Sequence, residues 1–506
     1  MITKELINRV FEYLKFDIDK LFNKGKIDNC FSLMDCFAHV AEYTNDRMRE
    51  EDIENSIVDI SKKYFPATKI NPKTKHAVFY DQVGTTICLG VQYIRGLVDN
   101  GYEVLYIYEN PSNSPTQSLL KEIDKLGLKK LIVDQHHNKS AVNTGKGILK
   151  AISDFSPEHL IIHSPAYGSL ASALLYSLDG VTRYRVVPGD HHFYIGYKCI
   201  DLFLEFRDFG LNYAQDYRNL PSEKLCKLPY YPLVDEFVTF QGIPKADNVN
   251  VSFIIAGNDY KFQGSDYIFQ LIDWILETYP NAVVYHVGTI FERIKTFINE
   301  KESHKRLISL GYRKDFAACM KNCDILINSY PIGGGLVSQT AAYFKKPFVA
   351  YSPLSGPPKS MRELLGVSRN TATAISKSSF EEIKDYINRM IIDRDFLKSE
   401  GERINSYLQT KDKFDSELKN ILESKKNNLS NYHREKMPLN DDFYYKLQNT
   451  LKPNVIYPLI KYYGVKILIR FPQLVTPFNK RNIKFAIRAL ALKYCGALIP
   501  KRTFTT

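Results

Sequence analysis

The chain alternates short apolar runs with helical segments, and the alternation occurs twice. The first series contains the runs HAVFYD, EVLYIYE and HLIIHS, and the second begins with VSFIIAG and AVVYHVG. Apolar strands separated by helices are typical of a parallel sheet that is covered on both faces. We therefore predict an α/β protein with two doubly wound sheets. Ligands of such sheets bind at the carboxyl ends of the strands, so a cleft between the two sets of strand ends is the expected binding region.

A proline-rich loop separates the two series and predicts a linker, because Pro229, Pro232 and Pro244 interrupt regular structure there. The polar, helical sequence before the first series predicts a cap, and a long charged helical stretch follows the second series. These features predict five consecutive segments: a helical cap (1–72), a first Rossmann-like domain (73–245), a second one (246–400), a charged helical segment (401–450) and a basic amphipathic tail (451–506).

The composition of the 506 residues is that of a soluble globular protein, with 44% hydrophobic and 25% charged residues. The N-terminal sequence lacks the apolar core of a secretion signal, and no stretch approaches the ~20 apolar residues that span a bilayer. The eight cysteines form no CxxC pair. We therefore expect reduced cysteines, no cysteine-bound metal and a cytoplasmic location.

The positive charge is concentrated at the C-terminal end. Residues 451–506 contain eleven Lys and Arg and no Asp or Glu, so they supply +11 of the net charge of +12. These cations alternate with Tyr, Phe, Ile and Leu. The pattern indicates either an interfacial helix on an anionic membrane or a tail packed on its own enzyme, and the sequence leaves both open. No nucleic-acid reading motif accompanies the charge, so nucleic acid is not an expected partner.

One segment, residues 324–351, combines a buried strand with a glycine turn and a helix. The strand residues Ile325–Ile327 precede Gly333, Gly334 and Gly335, and a helix follows. Backbone N–H groups in such a turn can approach an anion, and the helix N-terminus favours negative charge. The spacing matches neither GxGxxG nor GxxxxGK[ST], so a dinucleotide or P-loop site is not predicted.

Three stretches in this order resemble the O-GlcNAc transferase family and its bacterial relatives, the cytosolic adhesin N-glucosyltransferases. They are GDHHFYIGYKCIDLFLEF, IIAGNDYKFQGSDYIFQLIDWILETYP and CDILINSYPIGGGLVSQTAAYFKKPFVAY. The resemblance covers about residues 76–350. It implies a GT-B fold, in which two Rossmann-like domains face a cleft, here with helical N- and C-terminal extensions. It also implies that the first domain binds an acceptor and the second a nucleotide sugar.

The family uses a lysine at the position of Lys261 to hold the donor pyrophosphate, and a cation there stabilises the charge of leaving UDP. The donor-binding residues that the resemblance implies lie after two strands of the second domain: Lys261, Asn258, Gly333, Gly334, Gly335, Ser338 and Thr340.

Two departures from the family pattern affect the expected chemistry. Thr340 stands where the family has an acidic residue that grips the ribose. Retaining GT-B enzymes carry two glutamates about eight positions apart in this region, but Ile332 and Thr340 occupy those places here, which favours an inverting reaction. No Asp-x-Asp pair follows a strand facing the expected cleft, so we predict no metal and no cofactor other than the UDP-sugar co-substrate.

An inverting transfer needs a general base that takes the acceptor proton. His191 occupies the family's Gly-His turn, and Asp190 is placed to orient it. The family also uses a histidine after the first strand, where this chain has Thr85 or Thr86, so Asp81 is the substitute base. His163, at the end of HLIIHS, is a weaker candidate.

The sequence therefore predicts a cytoplasmic, metal-independent inverting glycosyltransferase that transfers a sugar from a UDP-sugar to a cell-surface glycan or a lipid-linked saccharide. The basic tail places the enzyme at the inner face of the membrane in this interpretation. Three alternatives stay open: a polypeptide acceptor, a non-catalytic GT-B subunit that binds an acceptor or partner enzyme, and a nucleotide-sugar epimerase.

Overall fold

The computed structural model describes residues 3–44, 47–85, 89–110, 114–133, 140–190, 192–234, 238–244, 249–353, 365, 375–430, 432–434, 452–475, 487 and 490. The contacts divide the chain into two compact units. The first comprises Met1–Leu228 and the described residues from Phe414 onward, and the second comprises Pro229–Lys413.

The first unit is built on a seven-stranded parallel sheet in the order β4-β3-β2-β5-β7-β8-β9, beside a two-stranded pair of β1 and β6. The strands are β1 Thr68–Lys69, β2 His76–Asp81, β3 Glu103–Tyr108, β4 Lys129–Ile132, β5 His159–His163, β6 Leu178–Asp179, β7 Thr182–Val186, β8 Leu202–Glu205 and β9 Leu225–Lys227. The central strands β2 and β5 are buried on both faces, as their continuous apolar sequences predict.

Helices cover this sheet and also form the N-terminal cap. They are α1 Lys4–Asn23, α2 Ile27–Thr44, α3 Glu51–Tyr64, α4 Gly90–Asp99, α5 Gln117–Lys125, α6 Ala141–Phe155, α7 Ser169–Tyr176 and α8 Asp208–Arg218. The cap shares one hydrophobic core with the sheet, since Phe37 of α2 contacts Phe193 with ring centroids 6.0 Å apart. It is therefore part of the first unit.

The second unit contains a six-stranded parallel sheet in the order β12-β11-β10-β13-β14-β15. Its strands are β10 Val251–Ala256, β11 Ala282–Val287, β12 Leu307–Ser309, β13 Ile325–Ile327, β14 Phe348–Tyr351 and β15 Ser376–Lys377. Its helices are α9 Tyr267–Thr278, α10 Glu292–Ile298, α11 Phe316–Lys321, α12 Gly335–Tyr343, α13 Phe380–Ile392 and α14 Arg394–Asn405. Apolar clusters lie on both faces of this sheet. The predicted α/β class with two doubly wound sheets is confirmed.

The sequence boundaries between the two units differ from the predicted segment limits. The prediction began the second domain at residue 246, but the linker already packs on the second unit. Gln339 Nε2 donates to the carbonyl of Tyr230 at 3.1 Å, and Tyr285 donates its hydroxyl to the carbonyl of Pro244 at 2.6 Å. The charged segment 401–450 is also divided: most of α15 (Lys411–Ser424) belongs to the first unit, where Phe414 contacts the ring of Tyr93.

The described part of the basic tail packs on its own chain. It forms α16 (Lys452–Tyr463) and α17 (Val465–Arg470), and Tyr463 donates its hydroxyl to Asp17 Oδ2 at 2.9 Å. Most of its apolar side chains are buried in the core of the first unit: Val455, Ile456, Leu459, Ile460, Ile467, Phe471 and Leu474. In this stretch most of the apolar stripe is therefore used internally, as expected for a tail packed on its own enzyme, and a contact of the tail with a membrane stays a prediction. The rest of the tail, apart from residues 487 and 490, lies outside the described residues.

Among the described residues, no helix combines the length and the hydrophobicity that crossing a bilayer requires.

The tail should contribute measurably to stability. Leu459 is fully buried, so Leu459→Ala removes core contacts and leaves a cavity. We expect the free energy of unfolding to fall by about 2–5 kcal/mol in urea denaturation. Ile469→Ala is the matched control: that side chain is 76% exposed, and its loss should change stability by less than about 0.5 kcal/mol. Equal effects of the two substitutions would contradict the packing of the tail on the first unit.

Candidate functional site

The order of strands in the second unit locates a binding edge. The chain runs outward from β10 through β11 to β12, then returns to β13 on the other side of β10 and continues to β14 and β15. The strands β10 and β13 are paired in parallel, with Ile255 opposite Ile327. Connections diverge at their carboxyl ends, and ligands of open α/β sheets bind at such a switch point. The segments that follow these two strands contain the residues predicted from the sequence.

Lys261 and the glycine turn lie next to each other at this edge. A Cβ atom placed on Gly334 would be only 3.1 Å from Lys261 Nζ. The amide of Ile332 donates to the carbonyl of Lys261 at 3.4 Å, which links the segment after β13 to the one after β10. The tertiary structure thus brings together two predicted elements that are about 70 residues apart in the sequence.

Lys261 is a partly buried cation. It ends a short 3₁₀ segment, Asp259–Lys261, and its stem lies over Gly257, where a Cβ would be 3.0 Å from Lys261 Cδ. Burial lowers the pKa of Lys261 from its ordinary value. No carboxylate of the described residues is within ion-pair distance of its ammonium group. A partly buried cation without a counter-charge is costly, so this position favours an anionic ligand.

The glycine turn is held by a buried asparagine. Asn328 Oδ1 accepts a hydrogen bond of 3.0 Å from the amide of Gly334, and its Nδ2 donates to Ser338 Oγ. Gly334 has φ −106°, so its role is spatial: a side chain there would crowd Lys261. Since the Gly334 amide is occupied, an anion would meet the amides of Gly335 and Leu336, which have no acceptor among the described residues at the start of α12.

Ser338 and Thr340 were both predicted to bind the donor, and the structure gives each hydroxyl an internal acceptor. Ser338 is fully buried, and its hydroxyl donates to the carbonyl of Gly334 at 2.9 Å. Ser338 therefore supports the turn from inside, and its predicted contact with the donor stays a prediction. Thr340 is partly exposed and donates to the carbonyl of Leu336 at 2.9 Å; only its acceptor lone pairs stay available for a ligand hydroxyl.

Two further polar residues stabilise the loop after β10. Asn258 Oδ1 accepts hydrogen bonds from the amide of Thr289 at 3.2 Å and its hydroxyl at 3.0 Å, so it connects the ends of β10 and β11. His286 is buried, and its Nε2 donates to the carbonyl of Gly257 at 3.1 Å while Nδ1 accepts from Ser309 Oγ at 3.0 Å. Burial lowers the pKa of His286, which keeps the imidazole neutral.

Sequence reasoning did not identify Asn328 or His286. The available signal for Asn328 was its place directly after the apolar strand β13 and ahead of the glycines, where a side-chain acceptor can hold a turn. His286 lies inside an apolar strand and carried no comparable signal.

The first unit has an equivalent switch point between β2 and β5, whose registers place Asp81 opposite His163. Asp81 Oδ1 lies 3.0 Å from His163 Nδ1 and accepts from the amide of Val83 at 2.9 Å. Asp81 Oδ2 accepts from the hydroxyl of Tyr106 at 2.8 Å and from the amide of Gly84 at 3.1 Å. Four donors therefore surround one carboxylate.

These contacts favour a positioning role for Asp81 over its predicted role as the base. Asp81 is only 2% exposed. Burial acts to raise its pKa, but the hydrogen bonds from His163, Val83 and Tyr106 outweigh it and lower the pKa of the carboxyl group. A carboxylate with a lowered pKa and four donors is a weak proton acceptor. The geometry instead makes Asp81 the partner that fixes His163.

The sequence predicted that His191 of the Gly-His turn is the general base and that Asp190 orients it. His191 lies outside the described residues. Asp190, predicted to orient it, is fully buried, and both of its carboxylate oxygens accept hydrogen bonds from Arg207. Arg218 donates to the carbonyls of Asp190 and His192 at 2.7 and 2.6 Å. Asp190 therefore anchors the turn to the core through Arg207, and this differs from the predicted role.

In the described part of the chain, one group of side chains has the composition of a cation site. Asp273 and Glu277 of α9 lie near His304, which directly precedes β12. Lys301 Nζ already forms ion pairs with both carboxylates, at 2.6 Å from Asp273 and 3.7 Å from Glu277. The group lies at the amino end of the sheet, opposite the edge that carries Lys261, so it cannot act on a ligand bound there.

No protein-family model and no curated protein matches this sequence significantly. Solved structures do share its fold. A glycosyltransferase from Rickettsia africae superimposes with a TM-score of 0.52 at 15% identity and covers 71% of this chain and 100% of its own. An O-GlcNAc transferase mutant from Thermobaculum terrenum gives a TM-score of 0.51 at 14% identity, covering 83% of this chain and 79% of its own. The chain therefore has the GT-B fold of glycosyltransferases, as the sequence predicted.

Proposed function

We propose that this protein is an inverting glycosyltransferase that moves a sugar from a UDP-sugar to a glycan or lipid-linked saccharide. The observation that carries the proposal is the partly buried ammonium group of Lys261, which faces Gly334 beside the N-terminus of α12 without a carboxylate partner among the described residues. A departing nucleoside diphosphate brings negative charge to such a place, and a fixed cation stabilises that charge most in the transition state.

Separate observations support UDP as the nucleotide of the donor and inversion as the stereochemical course. The choice of UDP follows the sequence resemblance to the O-GlcNAc transferase family, and one structural neighbour is an O-GlcNAc transferase. The inverting course is favoured by Ile332 and Thr340, which stand where retaining enzymes of this fold carry glutamates. Without a carboxylate there, direct displacement by an acceptor hydroxyl is the simpler reaction.

Lys261→Ala should weaken UDP binding by about 1.5–3 kcal/mol, the range for a hydrogen bond to a charged group. Isothermal calorimetry with UDP measures the change. Lys314→Ala is the matched control, because Lys314 is an exposed lysine of the same unit and its removal should leave the affinity unchanged. Equal affinities of the two variants would remove Lys261 from the binding site, and no UDP binding by the native protein would refute the proposed function.

A non-catalytic subunit is a second candidate, favoured by one observation: Thr340 replaces the acidic residue that grips the ribose in the family. Such a subunit would bind UDP without releasing it from UDP-sugars. Turnover of UDP-glucose, UDP-galactose, UDP-GlcNAc or UDP-GalNAc therefore separates the two functions.

We also propose that the transfer needs no divalent metal, because the cation beside the leaving group is supplied by Lys261. The release of UDP from UDP-sugars should then be unchanged by millimolar EDTA. The assay is run in parallel with and without added manganese. Activity that EDTA abolishes and manganese restores would contradict a protein-supplied cation.

An anionic membrane surface is the proposed location of the acceptor. Although the apolar stripe of the tail is buried, α17 exposes Val465 and Ile469, which are 43% and 76% exposed. The exposed basic residues Lys466 and Arg470 follow them with the same spacing. Apolar side chains flanked by cations provide both components of interfacial binding, at roughly 1 kcal/mol for each basic residue at an anionic surface.

Ile469→Asp should therefore reduce sedimentation with phosphatidylserine-containing vesicles at low salt, because it places a negative charge in the proposed contact. Ile392→Asp provides a matched control: Ile392 ends α13 in the other unit and is 80% exposed, so the same substitution there should have little effect. Equal sedimentation of both variants and the native protein would contradict a membrane contact through α17.

A further inference from the structure

The pairing of Asp81 with His163 leaves one reactive atom without a partner. Asp81 is ionised, since its hydrogen bonds lower the pKa of the carboxyl group despite burial. The bond of 3.0 Å between Asp81 Oδ1 and His163 Nδ1 therefore places the imidazole proton on Nδ1. With the proton on Nδ1, the lone pair of an uncharged imidazole is on Nε2. This atom is buried and has no hydrogen-bond partner among the described residues.

We propose that His163 Nε2 is the general base of the glycosyl transfer, and that Asp81 and Tyr106 position it. This inference rests on the proposed function. Nε2 takes the proton of the acceptor hydroxyl while the hydroxyl oxygen forms a bond to the anomeric carbon of the donor. The bond from that carbon to the diphosphate oxygen breaks, and UDP leaves with the electron pair. Asp81 stabilises the imidazolium that forms.

The surroundings of His163 fit this role. The ring lies at the carboxyl end of β5, where the strand order of the first unit reverses. Gly90, at the start of α4, makes room for it: a Cβ at that position would lie 2.9 Å from His163 Nδ1. Tyr106 holds the second oxygen of Asp81, so the carboxylate cannot rotate away from the ring. A histidine is thus supplied from the neighbouring strand, although the loop after β2 has none.

The other candidate bases have competing contacts. The carboxylate of Asp190 accepts hydrogen bonds from Arg207. His192 is partly exposed, and its Nδ1 lies 3.4 Å from Glu42 Oε1. Among the described candidates at the carboxyl edge of this sheet, His163 alone combines a carboxylate on one ring nitrogen with an unpartnered second nitrogen.

The test measures UDP release from UDP-glucose, UDP-galactose, UDP-GlcNAc and UDP-GalNAc, together with the UDP dissociation constant and the melting temperature. His163→Ala and His163→Gln should lower UDP release by roughly 10²- to 10⁴-fold, and UDP affinity should stay within about twofold because the proposed UDP site is in the other unit. Asp81→Asn should lower release less. The double variant Asp81→Asn/His163→Ala should be no slower than His163→Ala, since a positioning residue has no effect once its base is absent.

Ser164→Ala is the matched control, because this neighbouring hydroxyl is also buried and unpartnered among the described residues; its UDP release should match that of the native protein. Native-like release by a folded His163→Gln protein would overturn the assignment while the proposed function stands. A parallel fall in melting temperature and UDP affinity for both His163 variants would show a structural role and also overturn it. If the native protein neither binds UDP nor releases it from the four sugars, the proposed function fails and the assignment fails with it.

Discussion

The parallel pairing of the first and fourth strand of each sheet determines where chemistry is placed in this protein. In one unit the pair is β2 and β5, and in the other it is β10 and β13. Because the remaining strands extend to opposite sides of each pair, the loops that leave its carboxyl ends diverge and open a concave edge. The polar side chains at these four strand ends include Asp81, His163 and Lys261.

The buried charges at the two sheet edges differ in whether neighbouring groups compensate them. Asp81 is surrounded by four hydrogen-bond donors, which compensate its desolvation and fix its orientation. Lys261 has lost much of its hydration and lacks a carboxylate partner in the described part of the chain. A compensated charge can hold another residue in place, whereas an uncompensated one gains most from a ligand of opposite sign. This difference separates a positioning role for Asp81 from a binding role for Lys261.

Buried polar side chains give the second edge its rigidity. Asn328 satisfies the amide of Gly334, and His286 satisfies the carbonyl of Gly257. Removing either side chain would therefore leave a backbone group at this edge without its hydrogen-bond partner. A turn held in this way keeps a fixed distance between Lys261 and the start of α12, as preorganised binding of a charged group requires.

The layered α/β architecture can be derived from the sequence alone, because continuous apolar strands can be buried only in a sheet covered on both faces. The sequence also located Lys261 and the glycine turn, since each lies in the loop after such a strand and matches a motif of the resembled family. The pairing of Asp81 with His163, which are 82 residues apart, emerges only in the folded chain, because strand order and register are set by packing of the whole sheet. The same holds for the tail: its apolar stripe suits a membrane or a protein core equally well, and only the folded chain brings it against the hydrophobic core of the first unit, where Leu459 and Phe471 are buried and Phe471 contacts the ring of Tyr13.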